Sequence, residues 1–563
     1  MKKTTILIAF LILSGLCTAQ EKSYSDKELF TICKTWGLLK YYHPIVSSGK
    51  ADADSLLLSS LTQYRKPNEV IKNWVKYLKS NKYTVKEATI NKCVDADNRN
   101  FDISWIDNDG ILNKEQKTYL KNLINEKNAP GTYYTYADTA SIRYSGSNEK
   151  IYKDENGNVN YRLLSLFRAW NVIEYFYPYK YSTSKKWDDV LTAFIPKFIN
   201  AGTELDYTKA LMEFAASIED THARLEPSAY AEVFGTYGAP FTFQIAESSI
   251  VVTKPVDAAA CKVAGINWGD VITHVDGKTI DAIIVEKSKY LSASNNAVKI
   301  RDAYRYMFTG FKDPFTIKGY DKNKVAFNKT IQRIDRSSMV WFEAGLPDVP
   351  LISYDAKAQK IIYSQITKDN IGYIDFSLLQ PKDIDSIMTG MKNTRGIIFD
   401  LRGYNDDGTL LKTFNFLLPE PKWFGISSKV DYSQPGMFCF DDFIINKDLK
   451  FIGKTNPDAY KGKVIVLINE NTQSAEELWA MIFKTVPGVT FIGSQTAGAD
   501  GTETPILLTD GRILIFSGLG IFYTDKSETQ KVGIIPDIVV KPSINDLQNN
   551  IDPLINKAIE VIR

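Results

Sequence analysis

The sequence predicts a multidomain α+β protein, with helical units in its amino-terminal part, a short-stranded β region in the middle and a carboxy-terminal α/β domain with a largely parallel sheet. Three observations lead to this prediction. The 563 residues exceed what one core organises, at roughly 100–200 residues per domain. Apolar residues recur at helical spacing in two stretches before residue 230. Beyond residue 336, apolar strands alternate with helical stretches.

The overall composition is that of an ordinary globular protein. Hydrophobic residues make up 44% and charged residues 24% of the chain, which argues against disorder or a low-complexity scaffold. Lys and Arg number 68 against 66 Asp and Glu, and no long basic run breaks this balance. Nucleic acid is therefore not expected as a partner, because tracking phosphates requires a basic surface.

The first residues have the pattern of a secretory signal peptide, which we place at 1–19. Lys2 and Lys3 precede an apolar stretch, Ile6–Leu13, and small residues lead to a cleavage site after Ala19. Spanning a bilayer takes about 20 apolar residues, and neither this stretch nor any later segment is long and apolar enough. We therefore expect an exported protein without an integral membrane segment.

The sequence favours a periplasmic location among the exported ones. A lipoprotein would be anchored at Cys17, but the preceding residue is Leu16, where a small residue is normally required. A lipoprotein and an extracellular protein are the alternatives.

Four cysteines remain after the predicted cleavage, without CxxC spacing: Cys33, Cys93, Cys261 and Cys439. A cysteine zinc site is thereby excluded, and only three histidines could build another: His43, His222 and His274. We expect no metal and no cofactor. One or two disulfides can form in an oxidising compartment, and Cys33 and Cys93 are the closest pair in sequence; buried free thiols are the alternative.

An internal repeat organises the amino-terminal part. TWGLLKYYHP at Thr35–Pro44 and AWNVIEYFYP at Ala169–Pro178 align without a gap at an offset of 134, and Asp54 then matches Asp188. Each copy has apolar residues at helical spacing ahead of a proline that ends the helix. We therefore expect two related helical units.

The pattern changes twice further along the chain. From Gly238 to about Asp335 short β runs dominate, and the turn Asp276–Gly277 closes a strand-turn-strand unit. Strands such as RGIIFDLRG and KVIVLIN then alternate with helices. The predicted divisions are a signal peptide at 1–19, a helical domain with linker at 20–150, a helical bundle at 151–235, a β domain at 236–335 and an α/β domain at 336–563. Within the first of these domains, residues 86–150 are interpreted as short β or irregular structure followed by a linker.

Ser474 stands where the buried strand KVIVLIN passes through a short polar turn into an amphipathic helix. A serine at such a turn holds its hydroxyl at the positive end of the helix, where free backbone N–H groups can bind an oxyanion. The alternative is an ordinary N-cap, because Glu477 satisfies the capping-box spacing. Geometry alone favours the cap.

Two further segments carry candidate residues. A buried strand ends in Asp400-Leu401-Arg402, ahead of a loop with glycines, at the edge where parallel sheets bind ligands. An Asp–Arg ion pair that braces the turn is the alternative. Asp220-Thr221-His222 follows a predicted helix, and a lone histidine there is more often structural. Each signal is weak by itself.

Together these segments resemble the serine peptidase family of C-terminal processing (tail-specific) proteases and the tricorn protease core. The matching motifs, over roughly residues 155–545, are YFYPY, EDTHARL, AGINWGDVITHVDGK, DLRG, VLINENTQSAEE, GSQTAG and VGIIPDI. The resemblance implies a PDZ-like domain at 236–335, a ClpP/crotonase-like catalytic domain at 336–563, and a serine-type peptidase that needs no metal.

Within that family the resemblance separates two catalytic styles. The C-terminal processing branch uses a lysine base downstream of the serine, but Ser494–Pro505 contains no lysine. The tricorn-like branch uses a histidine at the end of the bundle, which is the place of His222. The resemblance therefore implies Ser474 as nucleophile and His222 as general base and then general acid.

The same resemblance implies the supporting groups. Thr221 would orient His222. Glu528, five residues before Gly533, is carried over for a glutamate that family members place nearer the terminal motif.

The oxyanion hole is also implied by the resemblance. It would use the backbone N–H of Ala475 and one N–H from the loop after the DLR motif, where Gly403 and Asp406 compete for the role.

We therefore expect an exported serine peptidase acting on peptides or partly unfolded proteins, with the PDZ-like domain binding extended peptide by strand addition. The amino-terminal domain would cover the cleft or mediate homo-oligomer formation. A catalytically degenerate peptide- or ligand-binding protein is the alternative, because Gly-Tyr-Asn-Asp-Asp-Gly stands where family members often have adjacent glycines. Glycan binding or hydrolysis through the aromatic-rich amino-terminal unit rests on composition alone.

Overall fold

A computed structural model describes most of the chain. The described residues are 23–80, 93–125, 133–137, 142–144, 146–153, 157–337, 354–355, 360–361, 364–431, 433–442 and 450–563. The predicted signal peptide at 1–19 lies outside these residues.

The first half of the chain contains two helical units. The first consists of α1 (Asp26–Tyr42), α2 (Pro44–Ser47), α3 (Ala53–Leu61), α4 (Pro67–Ser80), β1 (Ala96–Asp97), α5 (Ser104–Asn108), α6 (Lys114–Asn125), β2 (Thr135–Ala137) and β3 (Ile142–Tyr144). The second consists of α7 (Val159–Phe176), α8 (Trp187–Ile199), α9 (Glu204–Ala216), β4 (Arg224–Glu226) and α10 (Tyr230–Phe234).

The repeated sequence forms equivalent helices. α1 and α7 each end one residue before an extended residue, His43 and Tyr177, which precedes a proline. A residue before proline is pushed out of the helical region, so a proline at the equivalent position ends each of the two helices. The predicted repeat of two related helical units is confirmed.

The two copies pack against each other with their roles exchanged. Lys34 Nζ lies 2.5 Å from Asp188 Oδ1, and at the equivalent positions Arg168 Nη2 lies 2.9 Å from Asp54 Oδ2. Such reciprocity between the copies is the signature of an isologous interface, here formed within one chain. Within each copy an equivalent indole bond is also repeated, since Trp36 donates to Ala53 O and Trp170 donates to Trp187 O.

The interpretation of residues 86–150 as short β or irregular structure and linker is partly wrong, because α5 and α6 lie there. Asn113 and Gln116 exchange side-chain-to-backbone hydrogen bonds at the start of α6, in the manner of a capping box. Leu120, Leu123 and Ile124 are buried on one face of the helix. The capping pair and this spacing were the signals that the polar composition concealed.

The middle region is an antiparallel sheet with three helices. Its elements are β5 (Tyr237–Gly238), β6 (Phe241–Ala246), β7 (Ser249–Pro255), α11 (Ala258–Ala264), β8 (Val271–Val275), β9 (Lys278–Thr279), α12 (Ile280–Ser288), α13 (Asn296–Arg305), β10 (Phe315–Tyr320), β11 (Ala326–Ile331) and β12 (Ile334–Asp335). The strand order is β11-β10-β8-β7-β6, with β9 paired to β8. Apolar side chains from its strands and from α11 and α12 form a separate core.

The last region has the α/β pattern that the sequence predicts. Its elements are β13 (Tyr354–Asp355), β14 (Lys360–Ile361), β15 (Ser364–Ile366), β16 (Ile371–Asp375), α14 (Ile384–Gly390), β17 (Gly396–Asp400), α15 (Phe414–Leu417), β18 (Ile426–Val430), β19 (Phe438–Asp442), β20 (Lys463–Ile468), α16 (Ala475–Phe483), β21 (Thr490–Gly493), β22 (Glu503–Leu507), β23 (Ile513–Ser517), β24 (Gly520–Phe522), β25 (Ile538–Val539), α17 (Ile544–Gln548) and α18 (Pro553–Ile562).

A largely parallel sheet positions the site loops. Its strand order is β15-β16-β17-β20-β21-β25, and only the β15–β16 pair among these is antiparallel. Residues of α18 pack on one face, while α14 and α16 pack on the other. Neighbouring strands β17 and β20 end at the same edge, so the loops that follow them meet there.

Smaller sheets join the helical units to the α/β region. β4 pairs with β23, which also pairs with β22, and β1 pairs with β19. Cys93 and Cys439 form a disulfide across this second junction, whereas Cys33 and Cys261 are buried free thiols. The Cys33–Cys93 pairing suggested by sequence proximity is wrong, because Cys33 lies in the core against Asn171.

Among the helices described here, no helix is both long and apolar enough to cross a bilayer.

Candidate active site

Ser474 occupies a strained turn between β20 and α16. Its backbone has φ 60° and ψ −116°, a conformation that non-glycine residues rarely adopt, and its side chain makes no capping hydrogen bond to the helix. The N-cap alternative is therefore wrong. A serine held in an unfavourable conformation at a strand-to-helix turn, with its hydroxyl unused by the helix, has the features of a nucleophile at an elbow.

The strain makes Ser474→Gly a test of this geometry. Glycine adopts positive φ without steric cost, so we expect this variant to gain about 1 kcal/mol of unfolding free energy. Ser474→Ala keeps the strain and loses no cap, so its stability should match that of the wild type. Thermal unfolding of the three proteins measures both effects. A true cap would give the opposite order, since Ala then costs about 1 kcal/mol and Gly only a few tenths.

Glu477 fixes the loop that holds Ser474. The backbone N–H of Ser474 donates to Ala499 O at 3.0 Å. Glu477, one turn into α16, accepts from Thr496 Oγ1 (2.5 Å), Gly498 N (2.7 Å) and Ala499 N (2.8 Å). Burial raises the pKa of this carboxyl, and the hydrogen bonds oppose that rise. The Ser474 turn and the 496–499 loop are thus joined as one unit.

His222 lies in the turn between α9 and β4, with its ring almost fully buried. Ring nitrogen Nδ1 lies 2.8 Å from Ser517 Oγ, at the end of β23. β4 starts two residues later and pairs with β23, with Arg224 opposite Ile515. The pairing of β4 with β23 therefore places the histidine of the helical unit against the α/β region.

The surroundings of Ser474 and of His222 are linked through Tyr404 and Glu503. Burial raises the pKa of Tyr404, in the loop after β17, and the nearby Ser474 side chain opposes that rise. Glu503 interacts electrostatically with both Tyr404 and His222. In the part of the chain that the structure describes, Ser474 and His222 form no hydrogen bond with each other. Catalytic hydrogen bonds are often long in the absence of substrate and tighten when it binds.

Two backbone N–H groups close to the Ser474 turn have no acceptor among the described residues. The N–H groups of Ala475 and Gly403 donate no hydrogen bond to any described residue. The Gly403 loop is tied to α16, because Asn405 N donates to Glu476 Oε1 and Trp479 Nε1 donates to Asn405 O at 2.8 Å. Asp406, the other candidate from the sequence, is exposed on the same loop.

Asp400 and Arg402 are committed to structure. Arg402 Nη2 lies 2.6 Å from Asp400 Oδ2 and 2.8 Å from Asp552 Oδ2, and Tyr373 OH donates to Asp400 at 2.9 Å. All of these groups are largely buried. The ion-pair alternative for this motif is confirmed, and the motif braces the loop that presents Gly403.

Thr221 and Glu528 make contacts elsewhere. Thr221 Oγ1 donates to Ser294 Oγ at 3.0 Å and accepts from Ser294 N at 3.0 Å. Glu528 Oε1 accepts from Tyr181 OH at 2.6 Å and from Arg99 Nη1 at 3.0 Å. Neither side chain has a hydrogen bond to His222 within the described residues.

Sequence reasoning missed Ser517 and Tyr404. It also missed that Glu477 holds the 496–499 loop by hydrogen bonds. Ser517 lies 295 residues from His222 in the chain and reads as an ordinary strand residue. Only the pairing of β4 with β23 brings the two together, so no local signal could have found it.

One group of described side chains has the arrangement of metal ligands, namely Cys93, Asp431 and Cys439. The two cysteines are joined in a disulfide and have no thiolate to offer a metal. This group is therefore a structural bridge.

A comparison with the sequence profiles of known protein families finds one match. Residues 370–540, which include Ser474, match the sequence profile of peptidase family S41. The matched segment makes up less than a third of the chain. S41 relatives include a carboxy-terminal-processing protease of Bartonella bacilliformis, 25% identical over 328 residues, which are 58% of this chain and 65% of that protein.

A nisin-resistance protein of Lactococcus lactis subsp. lactis is 29% identical over 153 residues, which are 26% of this chain and 46% of that protein. The chain thus covers less than two thirds of the length of each of these two relatives. The structure of mature CPAF complexed with lactacystin has a TM-score of 0.55 at 13% identity, over 72% of this chain and 98% of that one. This last similarity concerns the fold.

Proposed function

We propose that the protein is an exported serine peptidase in which Ser474 attacks the scissile carbonyl and His222 transfers the proton. The observation that carries the proposal is the strained, uncapped Ser474 at the start of α16, inside the S41 segment. A hydroxyl is a weak nucleophile at neutral pH, so a neighbouring imidazole must accept its proton as the bond to carbon forms. The same imidazole then protonates the leaving amine.

The free N–H groups of Ala475 and Gly403 would hold the oxyanion of the tetrahedral intermediate. Each such donor contributes about 3–4 kcal/mol to transition-state stabilisation in serine peptidases. The contacts of Asn405 and Trp479 support this assignment, because they fix the Gly403 loop against the helix that starts at Ala475.

The substrate is proposed to be a peptide or a partly unfolded protein. The domain at 236–335 is proposed to be PDZ-like, since its antiparallel sheet ends at β6 among the described strands and an open edge can accept an extended peptide. The Cys93–Cys439 disulfide supports export, because disulfides persist mainly in oxidising compartments such as the periplasm.

Labelling with a fluorophosphonate probe tests the proposal. We expect the purified mature protein to be labelled at Ser474, located by mass spectrometry of the adduct. Ser474→Ala should abolish labelling and His222→Ala should lower it by at least about 100-fold. A folded wild type that is not labelled would contradict the proposal and favour the catalytically degenerate peptide-binding scaffold, which binding of extended peptides would then test.

A further inference from the structure

We propose that Asp220, acting through Ser517, is the positioning residue that keeps the proton of His222 on Nδ1 and leaves Nε2 free to accept the proton of Ser474. This inference rests on the proposed function of Ser474 and His222. It assigns a role to two residues that the family resemblance does not assign, and it gives none to Glu528 in orienting the base.

The three groups form a closed hydrogen-bonded unit in the interior. His222 Nδ1 lies 2.8 Å from Ser517 Oγ, and Ser517 Oγ lies 3.0 Å from Asp220 Oδ1. Asp220 also accepts from the backbone of both partners, from Ser517 N at 2.6 Å and from His222 N at 3.1 Å. The three residues are at most 2% exposed. The unit therefore fixes the position of the ring from both its backbone and its side chain.

Donor counting sets the direction of the protons. Every neighbour that hydrogen-bonds to Asp220 at its carboxyl oxygens offers it a proton, including Gln530 Nε2 at 3.4 Å, so the carboxylate acts only as an acceptor. The Ser517 hydroxyl has one proton, which it donates to Asp220. Its oxygen must then accept from Nδ1–H of His222. A neutral imidazole that carries its proton on Nδ1 has its lone pair on Nε2.

The charge of Asp220 also supports His222 as the base. Within the described residues, no Lys or Arg forms an ion pair with Asp220, so its charge is not neutralised by a fixed cation nearby. Burial and the charge of Glu477 raise the pKa of Asp500, and the charge of Asp220 adds to that rise. The imidazolium that forms when Ser474 attacks is the cation that this carboxylate would stabilise.

The ring nitrogens of His222 report the tautomer directly. The chain contains three histidines, so nitrogen NMR of protein labelled with 15N-histidine gives few signals, and His222→Ala identifies the ones to follow. We expect wild-type His222 to carry its proton on Nδ1 at a pH where the ring is neutral. In Asp220→Asn the amide would keep its oxygen on Ser517 N and turn its NH₂ toward Ser517 Oγ. Ser517 would then donate to Nδ1, and the ring proton should move to Nε2.

The same variants are compared for the rate of fluorophosphonate labelling. Asp220→Asn should slow labelling by about 100-fold, because the lone pair of Nε2 is lost. Ser517→Ala removes the bridging hydroxyl and should both slow labelling and leave a mixture of tautomers. Asp525→Asn is the matched control, since Asp525 accepts from the hydroxyl and backbone N–H of Ser527 at 2.6 and 2.9 Å on the surface. It should leave tautomer and rate unchanged.

The outcomes separate this inference from the proposed function. If Asp220→Asn and Ser517→Ala both leave the His222 tautomer on Nδ1 and the labelling rate at the wild-type value, the inference is overturned. Loss of labelling in Glu528→Gln with none in Asp220→Asn would overturn it too. If the wild type is not labelled but the tautomer moves in Asp220→Asn, the unit stands and the peptidase proposal fails. If Asp220→Asn does not fold, Ser517→Ala decides by the same two measurements.

Discussion

Arg168→Met is expected to lower the free energy of unfolding by about 3–5 kcal/mol, the usual effect of removing one partner from a buried ion pair. Arg168 is fully buried, with Nη2 2.9 Å from Asp54 Oδ2 and Nε 3.1 Å from Glu149 Oε2. Lys40 Nζ, at 2.6 Å from Glu149 Oε1, would be the remaining cation of this cluster for two buried carboxylates. Arg168 also donates to Leu507 O at 2.8 Å, so the loss reaches β22. Urea unfolding of wild type and variant measures the difference.

The internal repeat supplies a matched control. Lys34 is the repeat equivalent of Arg168 and pairs with Asp188, whose side chain is 41% exposed. Lys34→Met leaves a carboxylate that water can solvate, and Met keeps the apolar contacts of the lysine stem. A loss of at most about 1 kcal/mol is expected. Equal losses in the two variants would mean that burial of the partner carboxylate does not set the cost.

Glu477→Gln is expected to slow fluorophosphonate labelling of Ser474 by about 100-fold without unfolding the protein, the loss that a misplacement of about 1 Å produces. Three donors converge on this carboxylate, from Thr496, Gly498 and Ala499. An amide can accept at one oxygen only, and its NH₂ would face a backbone N–H. The 496–499 loop, and with it the carbonyl that holds Ser474 N–H, should shift. The rate constant of labelling with the probe in excess measures this loss. Circular dichroism checks that the variant is folded.

The neighbouring Glu476 provides the control: its Gln variant should keep the labelling rate and gain stability. Burial raises the pKa of Glu476 to about 9, so the folded protein holds it protonated at pH 7 while the unfolded chain ionises it above about 4.5. Wild-type stability should therefore fall as pH rises between these values. Glu476→Gln keeps a neutral side chain that accepts from Asn405, so labelling should stay within a few-fold of wild type. Its stability gain over wild type should grow from pH 4.5 toward pH 9; a gain that does not change with pH would contradict this account.

The fold could be predicted from the sequence in segments where local patterns are strong. The repeat at offset 134, the proline that ends each copy and the buried strands of the last domain were all predicted and are found in α1, α7, β16, β17, β20 and β21. Hydrophobic periodicity succeeds here because each element buries one face whatever its partner is. It failed for α6, where polar composition hid a capping pair.

In the candidate site too, local features could be predicted from the sequence and the geometry could not. Ser474 and His222 could be singled out because a turn between a buried strand and an amphipathic helix, and a histidine past a helix end, are local features. Whether Ser474 caps its helix could not be decided by spacing, since Glu477 satisfies the capping pattern but is turned toward another loop. The backbone conformation of one residue depends on what the surrounding loops impose on it.

The sequence by itself predicted a multidomain chain with two related helical units, a β-rich middle and a parallel sheet, and its residues 370–540 match peptidase family S41. It also singled out Ser474 and His222 as the residues to be tested. The tertiary structure alone decided that the two units pack as an intramolecular pair, that Cys93 bonds to Cys439, and that Ser517 and Asp220 lie beside His222. Each of these depends on contacts between residues far apart in the chain. Local patterns record which face an element buries, but not which distant side chain meets it there.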